Sequence, residues 1–203
     1  MTAKFGTILL AAGVSTRMGP ENKLLLPYRD VPMILHMVNT YRAATSNTVC
    51  VITGYEAAQI ESVLEGTDAV TVFNAEYKSG QQSSVTLGLQ SAKVDDALFI
   101  GLGDQPLITV DDLQFLMSAH HESGGTKISV PMQGEARGNP IIIPSNLRGK
   151  ILKDSKGRGC KKFTRTHLEH VHHVPTMRPS FFTDVDTPQA YAMLGKPQKE
   201  FVS

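Results

Sequence analysis

The sequence predicts a single-domain α/β protein, a three-layer α/β/α arrangement around a mostly parallel, Rossmann-like sheet. Two observations lead to this prediction. Short apolar runs alternate with amphipathic stretches along the chain, which is typical of strand–helix–strand units. The 203 residues, 41% of them hydrophobic, are enough to form one domain with a well-buried core, but the chain is short for two domains. We therefore expect residues 1–203 to form one domain with its core at about 5–195 and its ligands at the carboxyl ends of the strands.

The first half of the chain contains the clearest alternation. Its predicted strands are continuous apolar runs, as expected for strands that are buried on both faces. Its predicted helices carry apolar residues at three- and four-residue spacing, with Pro32 suited to a helix start and Gly66 to a helix end. The elements are a strand at 5–10, a helix at 33–44, a strand at 49–52, a helix at 56–64 and a strand at 70–73.

The second half continues the pattern with less regular spacing. A polar, glycine-bearing segment leads into a helix within 74–89, and apolar runs predict strands at 97–102, 128–131 and 141–143. Thr109 and Asp112 have the spacing of a capping box, which marks the start of a helix. Thr187 and Pro188 suit the cap and the first position of a last helix.

Segment 8–27 is the most informative part of the chain, because a buried strand gives way there to small, hydroxyl-bearing and basic residues. We expect Gly13 and Gly19 to give the loop positive φ angles and to bring backbone N–H groups close to an anion. Arg17 and Lys23 add positive charge, and Ser15 adds a hydroxyl group. The loop has neither the Walker spacing nor the three glycines of the dinucleotide fingerprint. The segment therefore indicates a phosphate-binding loop of another kind.

This segment resembles the LAAGxSxRMGxxK signature of the nucleotidyltransferases related to molybdenum cofactor biosynthesis, although the lysine lies one residue later here. The matching positions are Leu10, Ala11, Ala12, Gly13, Ser15, Arg17, Met18, Gly19 and Lys23. The resemblance implies a MobA-like NTP transferase domain of the nucleotide-diphospho-sugar transferase type, in which these positions, Met18 and Gly19 excepted, bind the nucleotide. In such families the stretch matching Gly80 and Ser84 lies against the base. Gln81 and Gln82 at the same helix start could also read a base edge.

Two further segments of the chain carry aspartates that are candidate metal ligands. Asp104 comes directly after the strand at 97–102, where it could hold a divalent cation or cap its own turn. Asp184 and Asp186 share one face of an extended segment, and Asp186 could instead support the following helix. These segments resemble the GDQP motif of the molybdenum cofactor cytidylyltransferases and the DIDTPED ending of the same families. The resemblance implies a Mg²⁺ site at Asp104, Asp184 and Asp186, with Asp184 slightly favoured over Asp186.

A second glycine-rich basic loop, at 134–140, reads GEARGNP. It could be a plain hairpin, since Gly, Asn and Pro are turn residues. In the relatives the matching R-G-x-P segment borders the pterin substrate, which assigns Arg137, Gly138, Asn139 and Pro140 to the acceptor substrate. The basic stretch 153–162 carries Asp154, Gly157, Arg158 and Gly159 in an arrangement shifted from the family's G-D-x-G-A-R element, so no roles are transferred there.

The resemblance implies transfer of CMP from CTP to the terminal phosphate of molybdenum-molybdopterin, with Arg17, Lys23 and Asp104 as catalytic residues and Mg²⁺ as cofactor. Guanylyl-transferring relatives carry LAGG, so the methyl group of Ala12 is a candidate wedge against a purine. Two alternatives stay open: an enzyme of the same fold acting on a sugar- or alditol-phosphate, and a non-catalytic molybdenum cofactor carrier. A dinucleotide-binding redox module is disfavoured, because it would need a third glycine and an acidic ribose partner, and the sequence places neither correctly.

Composition limits the partners. A formal net charge of +1 gives no global reason to expect nucleic acid or membrane binding. Because no apolar run is long enough to span a bilayer and no signal peptide pattern is present, we expect a cytoplasmic protein. A molybdenum-hydroxylase acceptor enzyme is a possible partner by resemblance. Cys50 and Cys160 have unlike surroundings and give no disulfide or metal pattern.

Overall fold

The computed structural model describes residues 3–19, 21–45, 47–93, 95–154 and 160–194. In these ranges the strands are β1 (Phe5–Ala11), β2 (Pro27–Tyr28), β3 (Val31–Pro32), β4 (Val49–Thr53), β5 (Val70–Phe73), β6 (Ala97–Leu102), β7 (Ile128–Gln133), β8 (Ala136–Arg137), β9 (Ile141–Pro144) and β10 (Val171–Pro175). The α-helices are α1 (Met33–Thr45), α2 (Ala57–Leu64), α3 (Gln81–Ser91), α4 (Val110–Glu122), α5 (Ser145–Lys153), α6 (Cys160–Thr166) and α7 (Pro188–Leu194).

The main sheet has eight strands and confirms the predicted fold class. Seven of them follow the order β10-β7-β9-β6-β1-β4-β5, β8 pairs with β7, and β2 and β3 form a separate hairpin. β1 lies in the middle and pairs in parallel with β4 and β6. β9 runs antiparallel to its neighbours β6 and β7, so the sheet is mostly parallel. None of the described helices is long and apolar enough to cross a membrane.

Helices cover both faces of the sheet because the central strands are apolar on both sides. In β1, Leu9 joins a core cluster with residues of α1, α2 and α4. The adjacent Ile8 joins a second cluster with residues of α3, α5 and α6. Both side chains are fully buried. The three-layer arrangement follows directly from this alternation of side-chain direction along a strand.

The predicted helix starts are largely as observed. Thr109 Oγ1 accepts a hydrogen bond from Asp112 N at 3.2 Å, and Asp112 Oδ2 accepts one from Thr109 N at 3.0 Å, so the capping box is present. Thr187 Oγ1 accepts a hydrogen bond from Ala190 N at the start of α7. Helix α2 begins one residue later than predicted, because Glu56 has a φ of 50° and lies outside the helix. Helices α5 and α6 and the β2–β3 hairpin were not predicted.

Three backbone hydrogen bonds bring distant segments together at the carboxyl edge of the sheet. Gly103 N donates to Leu10 O at 2.9 Å, which ties the end of β6 to the end of β1. Val185 N donates to Asp104 O at 2.8 Å, and Asn139 N donates to Phe181 O at 2.9 Å. The segment 181–186 therefore contacts both the loop after β6 and the loop before β9. All the candidate segments face the same crevice.

Candidate functional site

The loop after β1 forms one wall of a cavity of about 220 Å³ at this edge. Its backbone takes positive φ angles at Ser15, 55°, and Gly19, 86°. Gly13, expected to be one of these positions, does not have positive φ, and Ser15 has it instead. Ser15 Oγ is buried and has no hydrogen-bond partner among the described residues. A buried hydroxyl group without a partner is available to a ligand.

Gly13 has a different role, which follows from the space around it. A Cβ atom added at this position would meet no protein atom within 4 Å, although Gly13 lines the cavity. A side chain there would therefore fill part of the cavity. The absence of a side chain keeps the cavity open and imposes no requirement on the fold.

Replacing Gly13 with valine tests this interpretation. We expect the G13V protein to melt within a few degrees of the wild-type protein, because the new side chain enters open space at an ordinary φ. We expect its affinity for a nucleoside triphosphate to fall at least about tenfold, because the isopropyl group displaces the phosphates. Calorimetric titration and thermal melting measure the two effects. A variant that binds nucleotide normally would contradict the assignment of this cavity.

Cationic and acidic side chains converge at the mouth of the cavity. Lys23 Nζ donates short hydrogen bonds to Asp104 Oδ2 and, at 2.7 Å, to Asp186 Oδ1. Arg17 Nη2 forms an ion pair with Asp186 Oδ2 at 2.6 Å. Burial alone would lower the pKa of Lys23, but the charges of Asp104 and Asp186 raise it above its ordinary value. The ammonium group therefore stays charged.

The two carboxylates near the start of α7 have different environments. Burial and the charge of Asp104 raise the pKa of Asp184, although its Oδ1 accepts a hydrogen bond from Gln105 Nε2 at 2.8 Å. Burial would raise the pKa of Asp186, but Lys23 and Arg17 lower it. Asp186 is thus paired with cations, whereas Asp184 lies in the field of another carboxylate. A divalent cation would relieve that repulsion.

The donor set fits a divalent cation that also binds phosphate. Asp104 Oδ1 is buried and finds no partner in the described ranges. No group of three or more His, Cys, Asp or Glu side chains in those ranges is arranged to hold a metal by itself. Mg²⁺ takes one or two protein carboxylates and completes its shell with phosphate oxygens and water. Asp104 with one further aspartate, Asp184 or Asp186, would therefore be sufficient. Lys23 already bonds to Asp104 and Asp186, whereas Asp184 forms no ion pair with it.

A second cavity, of about 580 Å³, adjoins the first and shares Leu10, Arg17, Asp104 and Asp186 with it. The start of α3 contributes Gln81 and Gln82 to its lining. The Gln82 Oε1 atom is buried and has no partner among the described residues.

The structure places the predicted base-contacting residues differently. Gly80 and Ser84 do not line either of these two cavities, and the buried Ser84 Oγ accepts a hydrogen bond from Asn74 Nδ2 at 2.9 Å. The glutamines are thus better placed than Gly80 and Ser84 to meet a base. Gly80, with a φ of 110°, sets the turn into α3.

The loop at 134–140, which the sequence assigns to the acceptor substrate, lies at the second cavity. Arg137, Gly138 and Asn139 line it, whereas Pro140 is buried and does not. A Cβ atom on Gly138 would lie 2.8 Å from Phe181 O, so this glycine permits a close approach of two backbones. Helix α6 forms another part of the wall, contributing Cys160, Lys161, Thr164 and Arg165.

Sequence reasoning missed α6 as part of the site, although the basic composition of 153–162 was a signal. Gly157, Arg158 and Gly159, to which no roles were transferred, lie outside the described residues. Burial raises the pKa of the Cys160 thiol to about 12, which keeps it protonated at neutral pH. Cys160 therefore acts as a small packing residue beneath the cavity wall.

Ala12 does not line either cavity, which contradicts its expected contact with the base. A Cβ atom on Gly54 would lie 2.8 Å from the Ala12 methyl carbon, so that methyl group faces β4 and the turn after it. Ala11 and Leu10, by contrast, line the first cavity. Any effect of position 12 on base selection must act through the packing of its neighbours.

The site combines a cavity-lining loop after β1, cations that are paired with aspartates, and an adjoining second cavity, all at one edge of a mostly parallel sheet. This combination is typical of nucleotidyltransferase-type α/β proteins. Comparison with known families agrees. The chain belongs to the MobA-like NTP transferase domain family, whose model matches residues 7–173.

Curated relatives with different names share this domain. Nicotine blue oxidoreductase of Paenarthrobacter nicotinovorans is 26% identical over 193 residues, which cover 92% of this chain and 95% of that protein. The bifunctional protein GlmU of Geotalea daltonii is 26% identical over 157 residues, covering 76% of this chain. The match covers only 33% of GlmU, so most of that protein lies outside the region that is similar to this chain.

Solved structures share the fold. A nucleotidyl transferase from Methanothermobacter thermautotroptrophicus, Mth528, superposes with a TM-score of 0.80 at 23% identity, over 94% of this chain and 95% of that one. Rv0371c of Mycobacterium tuberculosis H37Rv in complex with manganese gives 0.68 at 24% identity, over 94% and 97%. A CMP:2-keto-3-deoxy-manno-octonic acid synthetase complexed with CTP gives 0.70 at 12% identity, over 95% and 97%.

Proposed function

We propose that this protein transfers CMP from CTP to the terminal phosphate of molybdenum-molybdopterin, releasing pyrophosphate and forming molybdopterin cytosine dinucleotide. The observation that carries the proposal is the convergence of Arg17, Lys23, Asp104 and Asp186 where two cavities meet. One cavity has the size and lining of a phosphate site, and the other leaves room for a second substrate. A transferase that joins two phosphates needs this arrangement.

The cavity beside β1 is the proposed triphosphate site. Residues 10–13 and Ser15 present the loop backbone to the phosphates, and Arg17 and Lys23 neutralise the charge that develops on the leaving pyrophosphate. Gln81 and Gln82 contact the base, while Gly80 and Ser84 position the start of α3 beneath it. Asp104, with Asp184 or Asp186, holds Mg²⁺. The bound ion would polarise the α-phosphate and orient it.

The second cavity, which would receive the base at Gln81 and Gln82, also contains the proposed acceptor site. Arg137, Gly138 and Asn139 border that site, with Pro140 supporting the loop. An oxygen of the acceptor phosphate forms a bond to the α-phosphorus of CTP, and the bond from that phosphorus to the bridging oxygen of pyrophosphate breaks. The pyrophosphate leaves with the electron pair. Because the attacking group is already an anion, no strong general base is required, and the side chains act by positioning and charge neutralisation.

Pyrophosphate release in the presence of molybdopterin and Mg²⁺ tests the proposal. We expect release with CTP and little with GTP, ATP or UTP, and a product that contains both cytidine and pterin. The same experiment tests whether residues 1–203 suffice as one domain. We further propose that a molybdenum-hydroxylase apoenzyme accepts the product in the cytoplasm, which is tested separately by adding such an apoenzyme to the reaction and measuring its activation. Release of pyrophosphate with a sugar- or alditol-phosphate instead would identify the alternative enzyme of the same fold.

The oxidoreductase among the relatives supplies a second candidate function, because that match covers nearly the whole of both chains. The two candidates differ in a simple readout. A redox enzyme would change the absorbance of nicotine blue without forming pyrophosphate, and a molybdenum cofactor carrier would bind the cofactor without turnover of either kind. Formation of pyrophosphate from CTP distinguishes the transferase from both.

A further inference from the structure

Helix α6 places two cationic side chains on the wall of the larger cavity. Lys161 and Arg165 are four residues apart, so they lie on one face of the helix, and both line the cavity. Arg137 lines the same cavity from the loop before β9. The neighbouring Lys162 is exposed on α6 but does not line the cavity. The cavity thus has a cationic wall drawn from two separate segments.

These three cations lack the partners that the other site cations have. Lys23 and Arg17 are both paired with aspartates. Among the described residues, Arg137, Lys161 and Arg165 form no ion pair with a carboxylate. Burial and the charge of Arg165 lower the pKa of Arg137, which shows that the positive charges are close enough to repel. Four carboxylates also line this cavity, those of Asp104, Glu135, Asp184 and Asp186. In the described ranges none of them forms an ion pair with the three cations, so these cations are available to a bound anion.

Arg137 is held in position by α6 itself. Its Nη2 atom donates a hydrogen bond to Thr164 Oγ1 at 2.7 Å, and the buried Thr164 hydroxyl donates to Cys160 O at 2.8 Å. This bond uses one of the five guanidinium N–H groups, and no other described residue accepts from the rest. The remaining donors are therefore available to a ligand, and their direction is fixed before it binds.

We propose that Lys161, Arg165 and Arg137 bind the phosphate dianion of the acceptor substrate, with Thr164 as the positioning residue for Arg137. The inference rests on the proposed transferase function. In-line displacement requires the attacking phosphate and the leaving pyrophosphate on opposite sides of the α-phosphorus. Of these two cavities, Lys23 lines only the small one, and the second cationic group lines only the adjoining one. Arg17 lies where the two cavities meet, so each phosphate has cations of its own.

The variants K161Q and R165Q test the proposal, with K162Q as a matched control on the same helix. The full-length proteins are titrated with inorganic phosphate, with and without CTP, and assayed with molybdopterin as acceptor. We expect K161Q and R165Q each to bind phosphate about tenfold more weakly and to raise the KM for molybdopterin about tenfold. Their affinity for CTP stays within about twofold of the wild type, and K162Q stays within about twofold in all measurements. Thermal melting verifies that each variant is folded.

The outcomes separate this inference from the function on which it rests. If the wild-type protein transfers CMP but K161Q and R165Q match K162Q, the phosphate site is wrong and the transferase function stands. If the wild-type protein shows no transfer while K161Q and R165Q still lose phosphate affinity relative to K162Q, the phosphate site stands and the function is wrong. For Thr164→Val, we expect a weaker interaction with phosphate that Thr164→Ser restores, because serine keeps the hydroxyl group that orients Arg137.

Discussion

Replacement of Asp104 with asparagine is expected to reduce the turnover number at least about a thousandfold, equivalent to about 4 kcal/mol of transition-state stabilisation. Asparagine keeps the shape of the side chain but removes the charge that holds both the cation and Lys23. The buried Oδ1 atom of Asp104, which has no partner among the described residues, is the candidate metal ligand, and the amide of asparagine offers the metal an uncharged oxygen at best. Steady-state rates measured across a range of Mg²⁺ concentrations give the effect, and saturating Mg²⁺ should not restore activity.

D111N is the matched control for this variant. Asp111 is an exposed aspartate in the first turn of α4, where it contacts neither cavity, so its loss should change the rate by less than about twofold. Comparison of the two variants separates a specific role of Asp104 from a general loss of negative charge. Near-normal turnover of D104N with Mg²⁺ would overturn the metal assignment.

Replacement of Lys23 with methionine is expected to affect both activity and stability. The side chain is only 10% exposed and lies between Asp104 and Asp186. Among the described residues, its loss leaves Asp104 without a counter-ion and Asp186 paired only with the exposed Arg17. We expect unfolding free energy to fall by about 3 kcal/mol and the turnover number by at least about a hundredfold. Because a divalent cation can replace the missing charge, Mg²⁺ should raise the melting temperature of K23M more than that of the wild-type protein.

Arg17 provides the contrast, since its side chain is 68% exposed. R17M should lose a comparable amount of activity but less than about 1 kcal/mol of stability, because exposed ion pairs contribute little. Chemical denaturation of the two variants in parallel measures the difference. If K23M proved as stable as R17M, the ammonium group would not be the charge that holds the two carboxylates together.

Much of the fold could be predicted because the strands that form it are apolar on both faces. The run from Phe5 needed no tertiary information to be identified as a buried strand, and its position in the centre of the sheet follows from that burial. The convergence of Arg17, Asp104 and Asp186 could also be anticipated, since the carboxyl ends of parallel strands share one edge. Their roles in catalysis and metal binding stay predictions until the variants above are measured.

The side-chain directions within the site could not be predicted from sequence. Ser84 and Gly88 lie four apart on α3, and a Cβ atom on Gly88 would be 2.4 Å from Ile8, so that face packs against β1 and turns Ser84 away from the cavity. The rotation of a helix about its axis is set by such tertiary contacts. The positive φ at Ser15 is similar, because local sequence favours glycine for that conformation.

Helix α6 was missed for a different reason. The sequence segment that precedes α6 is rich in glycine and lysine, and this segment has a low helical propensity. Cys160 and Phe163 are nevertheless buried in the core cluster beneath the sheet, and this burial stabilises a helix that the local sequence alone would not form. The cations of α6 reach the cavity only because those two residues anchor it.

The hydrogen bonds of segment 181–186 have a consequence for how the limits of such proteins are drawn. The family model ends at residue 173. Beyond that residue, backbone hydrogen bonds join Val185 to Asp104 and Phe181 to Asn139 across the crevice. A fragment that contains only residues 7–173 would retain the loop after β1 but only one of the three aspartates. The loops after β6 and before β9 would no longer be linked by hydrogen bonds to segment 181–186. Boundaries taken from the family model alone would thus separate residues that are hydrogen-bonded across the crevice.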